Sequence, residues 1–208
     1  MLQYSTVEPG TLDLLRKLMN IRELTDFYLV GGTALSICFG HRLSIDLDLF
    51  SSTPFETSEI ISVLESSFPG FSYRNNNTTI GLFSFIDGVK VDFVKYHQYK
   101  FIEPPLLIDG LRLMSIPDIA AIKIAAILKR GVKTDFYDVS ELLNHYTIND
   151  LIEFYNKKFP NQQLLISIPQ ALTYFEDANE SEAPISLNNK TWTQVKKHIN
   201  KKANEYLM

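Results

Sequence analysis

Cysteine is almost absent from this 208-residue chain. Cys38 stands alone, so no intrachain disulfide can form, and a reducing compartment fits. Long apolar runs are missing too. The longest, residues 116–128, is cut by Pro117, Asp118 and Lys123 and is too short and too polar to span a bilayer. The opening MLQYSTVEPG has neither the basic start nor the apolar centre of a signal peptide. These absences predict a cytoplasmic protein. Nor is there an excess of positive charge. The net charge of −4 excludes whole-surface attraction to nucleic acid, so any polynucleotide contact must use a local basic patch. No internal repeat or low-complexity segment is present.

What remains is an ordinary globular composition, 45% hydrophobic and 12% aromatic. The length suffices for one core, or for an α/β domain with a helical extension. Residues 11–24 carry apolar positions at helical spacing, with Thr11 as N-cap. FYLVGG reads as a short buried strand stopped by two glycines, and TALSICFG as a short helix ended by Gly40. Residues 45–50, IDLDLF, alternate as a strand does. Residues 56–68 read as helix, followed by strand-like runs at 71–75, 78–86 and 89–94, with Asp87-Gly88 as a hairpin turn. From Ser115 onward helical periods dominate, over 117–130, 134–145, 148–158, 169–177 and 190–206, with a polar loop at 178–189. The division is therefore an α/β part over 1–114 and a helical part over 115–208, the two able to share one core.

Chemistry concentrates in IDLDLF. Asp46 and Asp48 are two residues apart, which on a strand puts them on one face, with Ile45, Leu47 and Leu49 anchoring the other. Adjacent carboxylates repel, so a cation between them is expected, and magnesium favours carboxylate and phosphate oxygens. A bare pair of this kind more often lines an exposed edge strand, so context has to decide. Gly31-Gly32-Thr33 follow a strand and open a helix, where glycine lets the backbone approach a phosphate and free N–H groups point outward. Asp92 lies between Val91 and Phe93 and completes a three-carboxylate site if its strand runs beside IDLDLF.

In order and spacing these elements resemble the nucleotidyltransferase superfamily related to DNA polymerase beta. Gly31-Gly32 are followed by thirteen residues, then Asp46-Leu47-Asp48, and later Val91-Asp92-Phe93. LVGGTALSICFGHRLSIDLDLF and IPDIAAIKIAAILKRGVKTDFYDVSELL are similar to the two hallmark segments of the AbiEii/AbiGii toxin family of nucleotidyltransferases. The resemblance covers about residues 25–145. It implies an α+β fold, a small mixed sheet flanked by helices with a helical C-terminal part. It also implies NMP transfer from an NTP, supported by magnesium, two ions being expected on Asp46, Asp48 and Asp92. Some members modify the acceptor end of transfer RNA and are countered by an antitoxin encoded beside them, in toxin–antitoxin or phage-defence systems. Transfer to a small molecule or protein, or a non-catalytic nucleotide-binding role, are the alternatives.

Around this core sit further candidates. Lys123, in a helix apolar nearly all round, needs an anionic partner, which a triphosphate or Asp138 would supply. Arg130, seven residues on, shares its face. Arg42 and Ser44 precede Asp46 and are candidates for phosphate or acceptor contact, whereas His41 reads as an exposed, idle loop residue. Lys90 points with Asp92, either to phosphate or as its ion-pair partner. Asp135 and Asp138 are neighbours on one helix face, placed to cap the helix or to orient Lys123 or Arg130. Lys129 and Lys133 read as solvated. Lys190, Lys196, Lys197, Lys201 and Lys202 form either a nucleic-acid footprint or the wet side of a helix packing Trp192, Val195, Ile199 and Tyr206 inward.

Overall fold

The computed structural model describes residues 2–74 and 79–208. The chain starts with helix α1 (Pro9–Met19), whose N1 proline fixes the entry angle, so the N-cap is Glu8 and Thr11 is buried within the first turn. The expected cap at Thr11 is therefore displaced by Pro9. Strand β1 (Phe27–Val30) runs directly into helix α2 (Gly31–Phe39), which includes both glycines and ends at Gly40 in the left-handed region. Strand β2 (Leu47–Ser51), helix α3 (Thr57–Ser67) and strands β3 (Phe71–Tyr73), β4 (Gly81–Ile86) and β5 (Val89–Lys95) follow. Of the expected strand residues in this region, 75 and 78 lie outside the described residues. Strands β6 (Leu106–Ile108) and β7 (Leu111–Leu113) close the sheet.

The seven strands form one mixed sheet in the order β3-β4-β5-β2-β1-β7-β6. β2 pairs parallel to β5 and antiparallel to β1, and β1 pairs parallel to β7. Leu47, Leu49, Val91 and Phe93 are buried on one face, so Asp48 and Asp92, directly opposite each other in the β2–β5 register, share the other. Two Asp-Gly turns, Asp87-Gly88 and Asp109-Gly110, have positive φ at both residues, as a two-residue hairpin with the right twist requires. The first is the expected one. The second joins β6 to β7, an additional hairpin marked by the same dipeptide.

Helices α4 (Ile116–Arg130), α5 (Lys133–Leu142), α6 (Ile148–Lys158), α7 (Ile168–Thr173), α8 (Glu176–Asn179) and α9 (Trp192–Leu207) complete the chain. Ser115 caps α4 by accepting from the Asp118 N–H, with Pro117 in the first turn. One apolar core of buried side chains extends from Val7 to Ala203 and draws on both halves of the chain. In α9, Val195, Ile199 and Ala203 face that core, but Tyr206, expected inward, is 43% exposed, since the helix end projects past its neighbours. Among the described residues no helix is long and apolar enough to cross a membrane.

Candidate active site

One wall of the site is carboxylate. Asp46 stands immediately before β2 rather than inside it, and Ile45 is 62% exposed, not anchored in the core as expected, because strand pairing begins only at Leu47. Thr33 holds this loop. Its hydroxyl donates to the Asp46 carbonyl and pairs with Ser44 Oγ at 2.8 Å. Thr33 and Ser44 thus fix the loop that carries Asp46, besides lining the cleft. Gly31 explains how Asp48 comes so close to the start of α2. Gly31 has φ +70°, and a Cβ there would overlap Asp48 Oδ2. Burial raises the Asp48 carboxyl above the ordinary aspartate range. Lys90 and Lys123 pull it down, while Asp92 and Asp46 add to the rise.

Asp92 is buried beside Asp48. Lys90, two residues earlier on β5, donates to Asp92 Oδ2 at 2.6 Å, so of its two expected roles the structure shows the ion pair. Asp92 Oδ1 is buried without a hydrogen-bond partner. Asp46 and Asp48 fit a hard divalent cation: both offer carboxylate oxygens to one cleft, and the missing side chain of Gly31 leaves the space that Asp48 needs. Among the described residues, however, no three His, Cys, Asp or Glu side chains are gathered closely enough to hold a metal ion by themselves.

The other wall is built around Asp138, which is fully buried in α5. Arg42 Nε reaches Asp138 Oδ1 at 2.7 Å and its NH2 group reaches Oδ2 at 3.0 Å, a two-point grip. Lys123 Nζ lies 2.8 Å from Asp138 Oδ2 and 2.9 Å from Asp135 Oδ1. His41 Nε2 lies 2.8 Å from Asp138 Oδ1. His41 is therefore a buried member of the cluster, not the idle loop residue expected, because α2 ends at Gly40 and turns the next residues back toward α5. Gly32 is needed here as well, since a Cβ on it would overlap the Arg42 guanidinium. Burial works against the charge on Lys123, but Asp138 and Asp135 outweigh it and hold the ammonium above the usual lysine range. Asp138 is correspondingly held well below the carboxylate range: burial opposes this, and Lys123, Arg42 and His41 prevail. Asp135 also accepts from the Val132 N–H at the start of α5, so both of its expected tasks are combined.

Between the walls lies a cleft of about 600 Å³, lined by Asp46, Asp48, Lys90, Arg42, Lys123 and Arg130 among others, with Arg130 exposed at its rim. Its outer side is the segment 182–185, which the sequence reading treats as a plain polar loop. That segment is tied down. Leu43 N–H donates to the Ile185 carbonyl and Leu187 N–H to the His41 carbonyl, each at 2.9 Å. Lys133, expected to be solvated, instead donates to the Asn179 and Ser181 carbonyls at its base. The apolar Ala183-Pro184-Ile185 inside a polar stretch is the signal that marks it. The C-terminal lysines line no part of this cleft.

Comparison with known proteins gives the family and the fold. The profile of the family described as nucleotidyl transferase AbiEii toxin, type IV toxin–antitoxin system, matches residues 13–205. An uncharacterized protein of Aquifex aeolicus (strain VF5) is 35% identical over 202 residues, covering 94% of this chain and 95% of that one. The fold is shared with a putative nucleotidyltransferase from H. pylori (TM-score 0.58, 16% identity, 97% of this chain and 99% of that one). It is also shared with MenT4, a nucleotidyltransferase toxin from Mycobacterium tuberculosis H37Rv (TM-score 0.53, 13% identity, 90% and 81%). A strand–glycine–helix turn, a carboxylate pair entering the next strand and a family profile spanning nearly the whole chain lead to one conclusion: this protein belongs to the AbiEii family of nucleotidyltransferase toxins of type IV toxin–antitoxin systems.

Proposed function

We propose that the cleft transfers an NMP from an NTP to an acceptor hydroxyl, with magnesium held by Asp46 and Asp48 and the end of a transfer RNA as acceptor. Family membership already implies an NTP substrate and an antitoxin partner. The observation that carries the magnesium in this reading is the charge of the cleft. Its lining holds five acids (Glu8, Asp46, Asp48, Asp135, Glu182) against four bases (Arg42, Lys90, Lys123, Arg130). Such a cleft repels a triphosphate unless a divalent cation enters with it.

The acceptor oxygen attacks the α-phosphorus, the bond to the β-phosphate oxygen breaks, and pyrophosphate leaves with that electron pair. The acceptor proton passes to Asp92, the carboxylate opposite Asp48 in the β2–β5 register. A bound magnesium supplies charge neutralisation at the phosphates. Gly31 and Gly32 bring the start of α2 close to the phosphates. Lys123 and Arg130 face the β- and γ-phosphates, and Arg42 faces them while gripping Asp138. Asp135 and Asp138 hold Lys123 and Arg42 in place, and Thr33 and Ser44 hold the Asp46 loop.

The test incubates the protein with each α-labelled NTP, magnesium and a transfer RNA pool. Label transfer to RNA is expected from at least one NTP, with a loss of ~100-fold or more in Asp46→Ala and Asp48→Ala. Label that appears only on protein or on a small molecule redirects the acceptor, and transfer surviving both substitutions overturns the site.

A further inference from the structure

Lys90 stands where a second cation would be expected. It is two residues from Asp92 on the same strand, and its ammonium lies 2.6 Å from Asp92 Oδ2. Asp92 in turn sits opposite Asp48 in the β2–β5 register. Lys90 also lines the cleft and its side chain is nearly half-exposed, so its charge meets the same space as Asp46 and Asp48. Among the described residues no three-ligand metal group is assembled. A magnesium ion held by one or two carboxylates and completed by substrate phosphates and water needs no such group.

We propose that Lys90 is a built-in counter-ion of Asp92 that takes the place of a second metal ion, so that the cleft binds one divalent cation with its nucleotide, on Asp46 and Asp48. This rests on the nucleotidyltransferase reading above and lowers the ion count that the family resemblance implies from two to one. The charges are consistent with it: one ammonium and one divalent cation cancel the three carboxylates. A second divalent ion on Asp92 would have to displace an ammonium already in contact with it, or sit beside that ammonium and be repelled. Either route weakens its binding, by an estimated ~10-fold or more.

The test counts manganese bound per chain, from the electron paramagnetic resonance of free Mn²⁺. It is titrated against the full-length protein saturated with each of the four α,β-methylene nucleoside triphosphates in turn, with nucleotide-only controls subtracted. Wild type is expected to bind one ion, Lys90→Arg one, and Lys90→Met two, the titrations being run well below the melting temperature of each variant so that every chain counted is folded. Two ions in wild type, or no second ion in a folded Lys90→Met, overturns the proposal while leaving the nucleotidyltransferase site intact. No bound manganese with any analogue overturns the nucleotidyltransferase site and this inference together.

Discussion

Helix α4 carries two buried charges that are handled differently. At its start, Asp118 pairs with Lys158 of α6 at 2.7 Å and also accepts from the Ile102 and Glu103 N–H groups and the Ser115 hydroxyl. Five residues later, Lys123 reaches two carboxylates, Asp135 and Asp138. Lys158 has one carboxylate and the Lys100 carbonyl, and burial wins, lowering its pKa despite Asp118. Lys123 has two carboxylates, and there the anions win. The Asp118 pair is saturated and ties the loop at 100–103 to α4 and α6, and neither partner lines the carboxylate cleft. The Asp138 cluster keeps Arg42, Lys123 and Asp135 on the cleft wall. Burial of an ion pair is common to both. What separates them is whether the paired groups still face open space where a ligand can use them.

The largest effect that would sharpen this comparison is expected from Asp138→Asn. It takes the carboxylate from Arg42 and one of two from Lys123, and should cost about 3–5 kcal/mol of unfolding free energy and ~100-fold in transfer rate. Because the folded Asp138 carboxyl is held far below its unfolded value, its contribution is full above about pH 4 and drains away as pH falls below that. Denaturant midpoints measured across acidic pH should therefore lose part of their slope in Asp138→Asn. Next is Lys158→Met, expected to cost about 3 kcal/mol, seen as a lower melting temperature. Transfer rate, measured well below that temperature, should stay within about twofold of wild type. Equal losses of transfer in the two variants would break the distinction. The smallest effect is Asp48→Asn. Folded Asp48 has a raised pKa, so ionising it costs stability as pH rises through the carboxylate range. Without divalent cations the variant should melt higher than wild type by roughly 2–4 °C, about 1 kcal/mol, and magnesium with nucleotide should reverse that order.

Local chemistry made much of this legible in the sequence. The alternation of Val91-Asp92-Phe93 and of Leu47-Asp48-Leu49 assigns each aspartate a face, and parallel pairing of their strands then sets the two side by side. Asp87-Gly88 names its hairpin for the same local reason. What stayed hidden depends on contacts distant in sequence. His41 looked exposed because nothing nearby in sequence reveals Asp138, ninety-seven residues on, as its partner. Ile45 looked buried because alternation cannot say where pairing begins. Lys133 looked solvated because the carbonyls it meets belong to residues 179 and 181. The 182–185 wall was masked by the polar residues around its three apolar ones, and the burial of Lys158 by a partner, Asp118, that lies forty residues away.

The most direct test of the central claim is calorimetric titration of each NTP into the protein with magnesium and with EDTA, repeated in Asp48→Ala. The claim predicts binding of at least one NTP that weakens by ~10-fold or more when magnesium is chelated or Asp48 is removed. NTP binding of equal strength in EDTA and in Asp48→Ala, or no binding of any NTP with magnesium present, would contradict it.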